Sequence, residues 1–204
     1  MRRRTVLTGL AAVSASPAFA QVPATPQSVA GGLIRLDMTT AEGLLVLELE
    51  AEKAPLTVAN FLKYVDAGRY NGGEIYRGMA VSTNPLMGLV QGGAKPGKPI
   101  PPVAHEPTTQ TGLKHVDGTL SLARYAPGTG TSDFFICVGD AGYLDANPAA
   151  TGDNAGFAAF GRVTQGMDIV KRILVMPKSQ KADNPAMIGQ MLEKYVPIQS
   201  VKRA

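Results

Sequence analysis

The sequence predicts a mainly β fold: a closed or nearly closed antiparallel sheet with two α-helices covering its openings. Three observations lead there. Short strand-like runs, several alternating apolar with polar residues, recur along most of the chain. Turn signals, Asn71-Gly72 and Asp117-Gly118 among them, separate such runs. Helical spacing of apolar residues is confined to two stretches, one near each end.

The first 20 residues, MRRRTVLTGLAAVSASPAFA, read as an export signal rather than as structure. Arg2, Arg3 and Arg4 precede a short apolar centre and a small-residue ending at Ala18-Phe19-Ala20, so cleavage is expected after Ala20. The apolar run Val6–Val13 is too short to span a bilayer. Arg3–Leu7 (RRTVL) also fits a twin-arginine signal, which leaves both the Sec and the twin-arginine route open. Residues 21–31 are Pro/Ser/Gly-rich and read as a linker, placing one domain at 32–204. Within it, Leu33–Met38 and Gly43–Glu50 form a hairpin about a turn at Thr39–Gly43. In the second strand Leu45, Leu47 and Leu49 alternate with Val46, Glu48 and Glu50, a strand with one wet face.

A helix follows at 55–68, with Val58, Phe61, Leu62 and Val65 on one side, Pro55 in its first turn and Gly68 as its stop. Strands are expected at Thr119–Arg124, Asp133–Val138, Phe157–Val163 and Val196–Lys202. The second helix, Gln165–Val175, gathers Met167, Val170, Ile173 and Leu174, and Pro177 closes it. Residues 178–195 read as a loop with one helical turn. One strand poses a problem of its own. In SDFFICVG (Ser132–Gly139), Phe134, Ile136 and Val138 share a face that reads as core, so Phe135 must leave the core beside Asp133 and Cys137.

Composition narrows the function. The formal charge is +4, but residues 1–20 carry three arginines and no acid, so the mature chain stands at +1. The basic pI of 9.2 therefore comes mostly from the signal and argues for neither nucleic acid nor an anionic membrane as partner. A single cysteine, Cys137, rules out an internal disulfide and reads as an inert buried thiol. His105 and His115 lie in a Pro/Thr/Gly-rich stretch and read as surface histidines; HEPTT (His105–Thr109) lacks the second histidine of a helical zinc motif. Ser132-Asp133 has no histidine in a recognisable partner motif, and GGAKPGK (Gly92–Lys98) lacks the ending of a phosphate loop. What remains unusual is Arg77, after a Gly-rich turn, and the phenylalanine pair. An arginine donates hydrogen bonds at any working pH and cannot serve as a base; by position alone it reads as a solvated strand-end residue.

Taken in order, Tyr70…Gly72…Ile75-Tyr76-Arg77, VQGG (Val90–Gly93), GTLSLAR (Gly118–Arg124), SDFFI (Ser132–Ile136), YLD (Tyr143–Asp145) and FAAFGRVTQGMDIV (Phe157–Val170) resemble a cyclophilin. The resemblance runs from about residue 33 to 175 and less clearly to the C-terminus. It implies an eight-stranded antiparallel barrel capped by two helices, peptidyl-prolyl cis–trans isomerase activity and no cofactor. The signal and the arginine after LSLA look most like bacterial periplasmic members. Rotating an X–Pro bond breaks amide resonance against a barrier of about 18–20 kcal/mol. It requires no proton transfer or covalent intermediate. In the twisted transition state the proline nitrogen regains a lone pair, and a donor aimed at it binds that state better than either planar isomer.

The resemblance gives that donor role to Arg77 and makes Gln91 the residue that orients it. It makes Phe135 and Leu144 walls of a proline pocket, and Ala123 and Arg124 the rim where the peptide backbone pairs. The departures are specific. The chain between Arg77 and Gln91 is about six residues longer than in the family. Leu89 stands for a pocket methionine, and Gly88 or Met87 falls where a phenylalanine is expected. Asp133 replaces a glutamine, Tyr143 a tryptophan and Phe157 a histidine, and Ala146–Gly156 is an insertion beside the site. Expected partners are proline-containing polypeptides, with weak cyclosporin binding because Tyr143 has no indole N–H, and the protein is expected to be a monomer. The rival expectations are a proline-peptide-binding chaperone module with little turnover, and a purely structural exported β-barrel.

Overall fold

Alternation in the first hairpin turns directly into a wall of the barrel. In β1 (Leu33–Thr40) Leu36 and Met38 are buried, and in β2 (Gly43–Glu50) so are Leu45, Leu47 and Leu49. The computed structural model describes residues 32–81, 83–98 and 100–204. The expected export signal and linker lie outside these. The remaining elements are α1 (Pro55–Asp66), β3 (Gly73–Val81), β4 (Asn84–Gly93), α2 (Thr108–Thr111), β5 (Thr119–Leu122), β6 (Phe134–Val138), β7 (Ala158–Gln165), α3 (Met167–Leu174) and β8 (Met191–Arg203). The eight strands close an antiparallel barrel in the order β1-β2-β7-β5-β6-β4-β3-β8, so each has a hydrogen-bonded neighbour on both sides.

The core fills the barrel and the space under the helices. Phe61 of α1 packs on Phe134 (ring centroids 5.8 Å), Phe160 (5.2 Å) and Tyr70 (4.7 Å). Helix α3 contributes Ile169, Val170, Ile173 and Leu174, all buried against the barrel. Helix α1 has no local side-chain cap. Glu106, nearly fully buried, supplies one from fifty residues away: its carboxylate accepts from the Leu56 N–H (3.1 Å), the Thr57 N–H (2.7 Å) and the Thr57 hydroxyl (2.6 Å). It thereby satisfies orphan donors at the positive end of the helix dipole. The acid of the HEPTT motif is a structural cap.

Several boundaries differ from expectation, and those near the cleft matter most. β5 ends at Leu122, so Ala123 and Arg124 lie beyond it, and Asp133 and Phe157 each sit just before a strand. β8 begins at Met191, five residues ahead of Val196, after the 3-10 turn Pro185–Met187. A third helix, α2, occupies one turn in the stretch expected to be loop; it starts immediately after Pro107 and stops at Gly112, whose φ of +72° suits glycine. β3 and β4 are the strands that alternation does not reveal.

Candidate active site

Three ladder contacts lay out the site. Arg77 on β3 stands opposite Gln91 on β4, Gln91 opposite Phe135 on β6, and Phe135 opposite Ser121 on β5. Cross-strand partners share a face, so these four residues form one row across the barrel wall. Phe134, Ile136 and Val138 belong to the main core, while Phe135 and Cys137 join Leu89, Ala141 and Leu144 in a separate apolar cluster. The two phenylalanines therefore serve different faces, as alternation requires.

A bulge aims the arginine. The β3–β4 register steps from Ile75↔Gly92 to Arg77↔Gln91, so Tyr76 is the extra residue on β3. Tyr76 and Arg77 consequently reach the same glutamine: Arg77 Nη1 donates to Gln91 Oε1 (2.8 Å), and Gln91 Nε2 donates to the Tyr76 hydroxyl oxygen (2.8 Å). On the other side Gln190 Oε1 accepts from Arg77 Nε (2.9 Å) and Nη2 (2.5 Å), and Met79 Sδ accepts from Nη2 (3.4 Å). Four of the five guanidinium N–H groups are thereby engaged, leaving one on Nη1 without an acceptor among the described residues. Partial burial lowers the guanidinium pKa from its ordinary value, but it remains a cation and a donor.

Arg77 opens on a cleft of about 660 Å³. Its apolar part holds Phe135, Leu89, Leu144 and Phe157; Phe135 meets Phe157 edge-on at 5.3 Å. Leu144 arrives on the 3-10 turn Gly142–Leu144. Leu89 does take a pocket position, while Gly88 offers no wall. Its φ is +151°, and a Cβ there would run into the Met79 carbonyl. Met87 lies against Gly139 instead. The side chain that packs on the cluster in their place is Met79, two residues beyond Arg77. The extra residues between Arg77 and Gln91 lengthen the β3–β4 hairpin, which leaves Leu86 two-thirds exposed.

Ala123 and Arg124 line the cleft, and the Ala123 N–H donates to the Asp133 carbonyl (2.8 Å). The Arg124 side chain is directed elsewhere. It pairs with both oxygens of Asp153 (2.6 and 3.0 Å), donates to the Gly156 carbonyl and lies 4.9 Å over the Phe157 ring. The Ala146–Gly156 insertion thus returns to hold the arginine and the aromatic wall together. Tyr143 stands outside the lining, 61% exposed. The 181–187 stretch adds a wall that the sequence does not announce, with Asp183, Asn184 and Met187 among its residues.

Contrary to the surface reading, His115 is fully buried. Its Nδ1–H donates to Asp145 Oδ1 (2.7 Å), and its Nε2 accepts from the Ser121 hydroxyl (2.9 Å). The order Ser–His–Asp is that of a hydrolase triad, but Ser121 stands beside Phe135 with no exposed surface, so no acyl group can reach it. The network is a support: His115 stacks on Phe135 at 6.0 Å and ties β5 to the turn that carries Leu144. Burial lowers the His115 pKa, although the Asp145 bond opposes this. Burial raises the Asp145 carboxyl, but its bonds to His115 outweigh that and hold it below its ordinary value. Both groups therefore bind fewer protons folded than unfolded, and stability must fall on acidification. The His115 share is expected to begin as pH drops through its unfolded value of about 6.5, and the Asp145 share below about 4. Urea midpoints measured between pH 7 and 5 check the first; a His115→Gln variant that keeps the same slope would refute it. Cys137 is buried, and its thiol is pushed up to about 12 by burial, so it is inert at neutral pH.

Of the ten expected site residues, nine line the cleft and Tyr143 does not. The structure adds Tyr76, Met79 and Gln190, which hold the guanidinium or its glutamine. Met79 was within reach, since residues two apart on a strand share a face; Tyr76 is hidden by the bulge and Gln190 by its distance in sequence. Among the described residues no cluster of His, Cys, Asp and Glu could hold a metal ion, and no helix is long and apolar enough to cross a membrane.

Residues 35–202 match the family model described as cyclophilin type peptidyl-prolyl cis-trans isomerase/CLD. The chain is similar to a peptidyl-prolyl cis-trans isomerase A of Dickeya dadantii, with 32% identity over 97% of this chain and 94% of the relative. A peptidyl-prolyl cis-trans isomerase of Acinetobacter baylyi shares 36% over 71% of this chain and 73% of its own length. In architecture the chain resembles the crystal structure of a Cryptosporidium parvum cyclophilin type isomerase obtained in the presence of the dipeptide Ala-Pro. The TM-score is 0.66 at 20% identity, over 83% of this chain and 98% of that one.

Proposed function

The chain belongs to the cyclophilin-type peptidyl-prolyl cis-trans isomerase family, and from that premise we propose how its own residues turn the X–Pro bond and where they do so. The observation that carries the reading is a guanidinium clamped at four donors beside an apolar pocket walled by Phe135, Leu89, Leu144 and Phe157. The proline ring enters between Phe135, Leu89, Leu144 and Phe157, and the preceding backbone lies along Ala123 and Arg124. Arg77 then meets the proline nitrogen as the amide twists. The clamp allows little reorganisation, so the donor is in place before charge develops. No group takes a proton, in keeping with a cleft whose central residue cannot act as a base.

Proline-limited refolding of a model protein at low temperature tests this: wild type is expected to accelerate the slow phase. Binding of proline peptides without acceleration would leave only a chaperone-like binding module. The clients we propose are unfolded or partly folded polypeptides outside the cytoplasm, supported by the basic, then apolar, then small-residue start of the chain. Recovery of the protein from the periplasm with Gln21 as its first residue is the expected result. A cytoplasmic protein retaining Met1 would overturn it. The proposed state is a monomer that binds cyclosporin weakly, because the Tyr143 ring lacks the N–H donor that an indole would present.

A further inference from the structure

We propose that Asp133 acts on the reaction through Arg77, as a positioning residue that fixes the direction of a hydrogen-bonded chain ending on the guanidinium. The proposal rests on the reading that Arg77 stabilises the twisted amide. The chain has three links. The Tyr76 hydroxyl donates to Asp133 Oδ2 (2.7 Å), its oxygen accepts from Gln91 Nε2 (2.8 Å), and Gln91 Oε1 accepts from Arg77 Nη1 (2.8 Å).

A phenol has one proton and an amide has one donor end, so each link dictates the next. With its proton committed to Asp133, the Tyr76 oxygen offers only lone pairs. Gln91 must turn its NH2 toward them, and its carbonyl is left facing Arg77. Reversed, Gln91 would press an NH2 donor against a guanidinium that has no acceptor. From the Asp133 end a carboxylate sets the same direction that Arg77 demands at the other, because it accepts and cannot donate. An amide at position 133 could donate to Tyr76, freeing the phenol proton to point at Gln91 and so permitting the reversed chain.

The surroundings are built for that carboxylate. Ser132 Oγ donates to its other oxygen (3.2 Å). Gly93 on the neighbouring strand leaves the room it occupies, since a Cβ there would collide with the Asp133 carboxylate. Burial, then Asp133 itself, raises the Tyr76 pKa, which keeps the phenol a donor. Gln91 is nearly buried, so water is a poor competitor for the amide.

Steady-state isomerisation kinetics on an Ala-Pro tetrapeptide test the chain. Asp133→Asn is expected to lower kcat about fivefold, the rate equivalent of one hydrogen bond, with KM within about twofold and an unchanged thermal midpoint. Tyr76→Phe, which breaks the same chain, should match or exceed that loss, and the double variant should be no slower than Tyr76→Phe alone. A rise in KM with kcat intact would mean that Asp133 touches the peptide directly, and losses that multiply in the double variant would mean no chain exists; either overturns the proposal. An Asp133→Asn enzyme as fast as wild type also overturns it. The underlying reading fails separately, if Arg77→Ala leaves kcat unchanged.

Discussion

Replacing Arg77 with alanine is expected to lower kcat/KM by about 10²–10³, the loss typical of removing one preorganised donor from a developing lone pair. Affinity for an X–Pro peptide should change only a few-fold. The asymmetry follows from when the interaction forms. In either planar isomer the proline nitrogen is conjugated and offers no acceptor, so Arg77 contributes little to ground-state binding. At the twisted geometry the lone pair localises and the hydrogen bond appears, which is the differential binding that lowers a barrier. Arg77→Lys should recover little. Gln91 and Gln190 engage Nη1, Nε and Nη2 at fixed angles, and a single ammonium cannot satisfy both glutamines and still reach the peptide. Refolding kinetics give kcat/KM, and peptide titration gives affinity. Equal loss in both would recast Arg77 as a binding residue.

Much of this arrangement is written in local pattern, and some of it is not. The hairpin β1–β2, both long helices and the split between Phe134 and Phe135 follow from periodicity, because each buries one face and leaves the other wet. The site row follows from the motifs that carry the family resemblance. β3 and β4 escape because Gly73, Gly78, Gly88, Gly92 and Gly93 leave no side chain where the alternation would be read. The bulge at Tyr76 then shifts the alternation in mid-strand. His115 and Glu106 escape for a different reason. A histidine or glutamate in a polar loop looks solvated until its partners are known, and Asp145 and Leu56 lie 30 and 50 residues away. Gln190 belongs to the same class: a glutamine in an irregular segment becomes part of the site only when β8 closes beside β3.

The two adjacent phenylalanines allow the division between core and site to be measured directly. Phe134→Ala empties a position with no exposed surface, packed edge-on against Phe61 and Tyr70 at 5.8 Å. It is expected to cost about 3–5 kcal/mol of stability. At roughly 2–4 °C per kcal/mol for a domain of this size, the thermal midpoint should drop by about 10 °C. Peptide affinity of the fraction that remains folded should stay near wild type, because Phe134 does not line the cleft.

Phe135→Ala removes a wall of that cleft, so the loss should move to binding. Affinity for X–Pro peptides is expected to fall about ten- to a hundredfold, as the apolar contact of a ring against a ring is lost. Its stability cost should be the smaller of the two, since Phe135 packs within a small satellite cluster with Leu89, Cys137 and Leu144 rather than in the barrel interior. Urea unfolding and peptide titration on both variants decide the matter. Equal stability losses with equal affinity losses would mean that the strand's two faces are not energetically separate. If they are separate, neighbouring residues of identical chemistry differ in function only through the side of the sheet to which alternation assigns them.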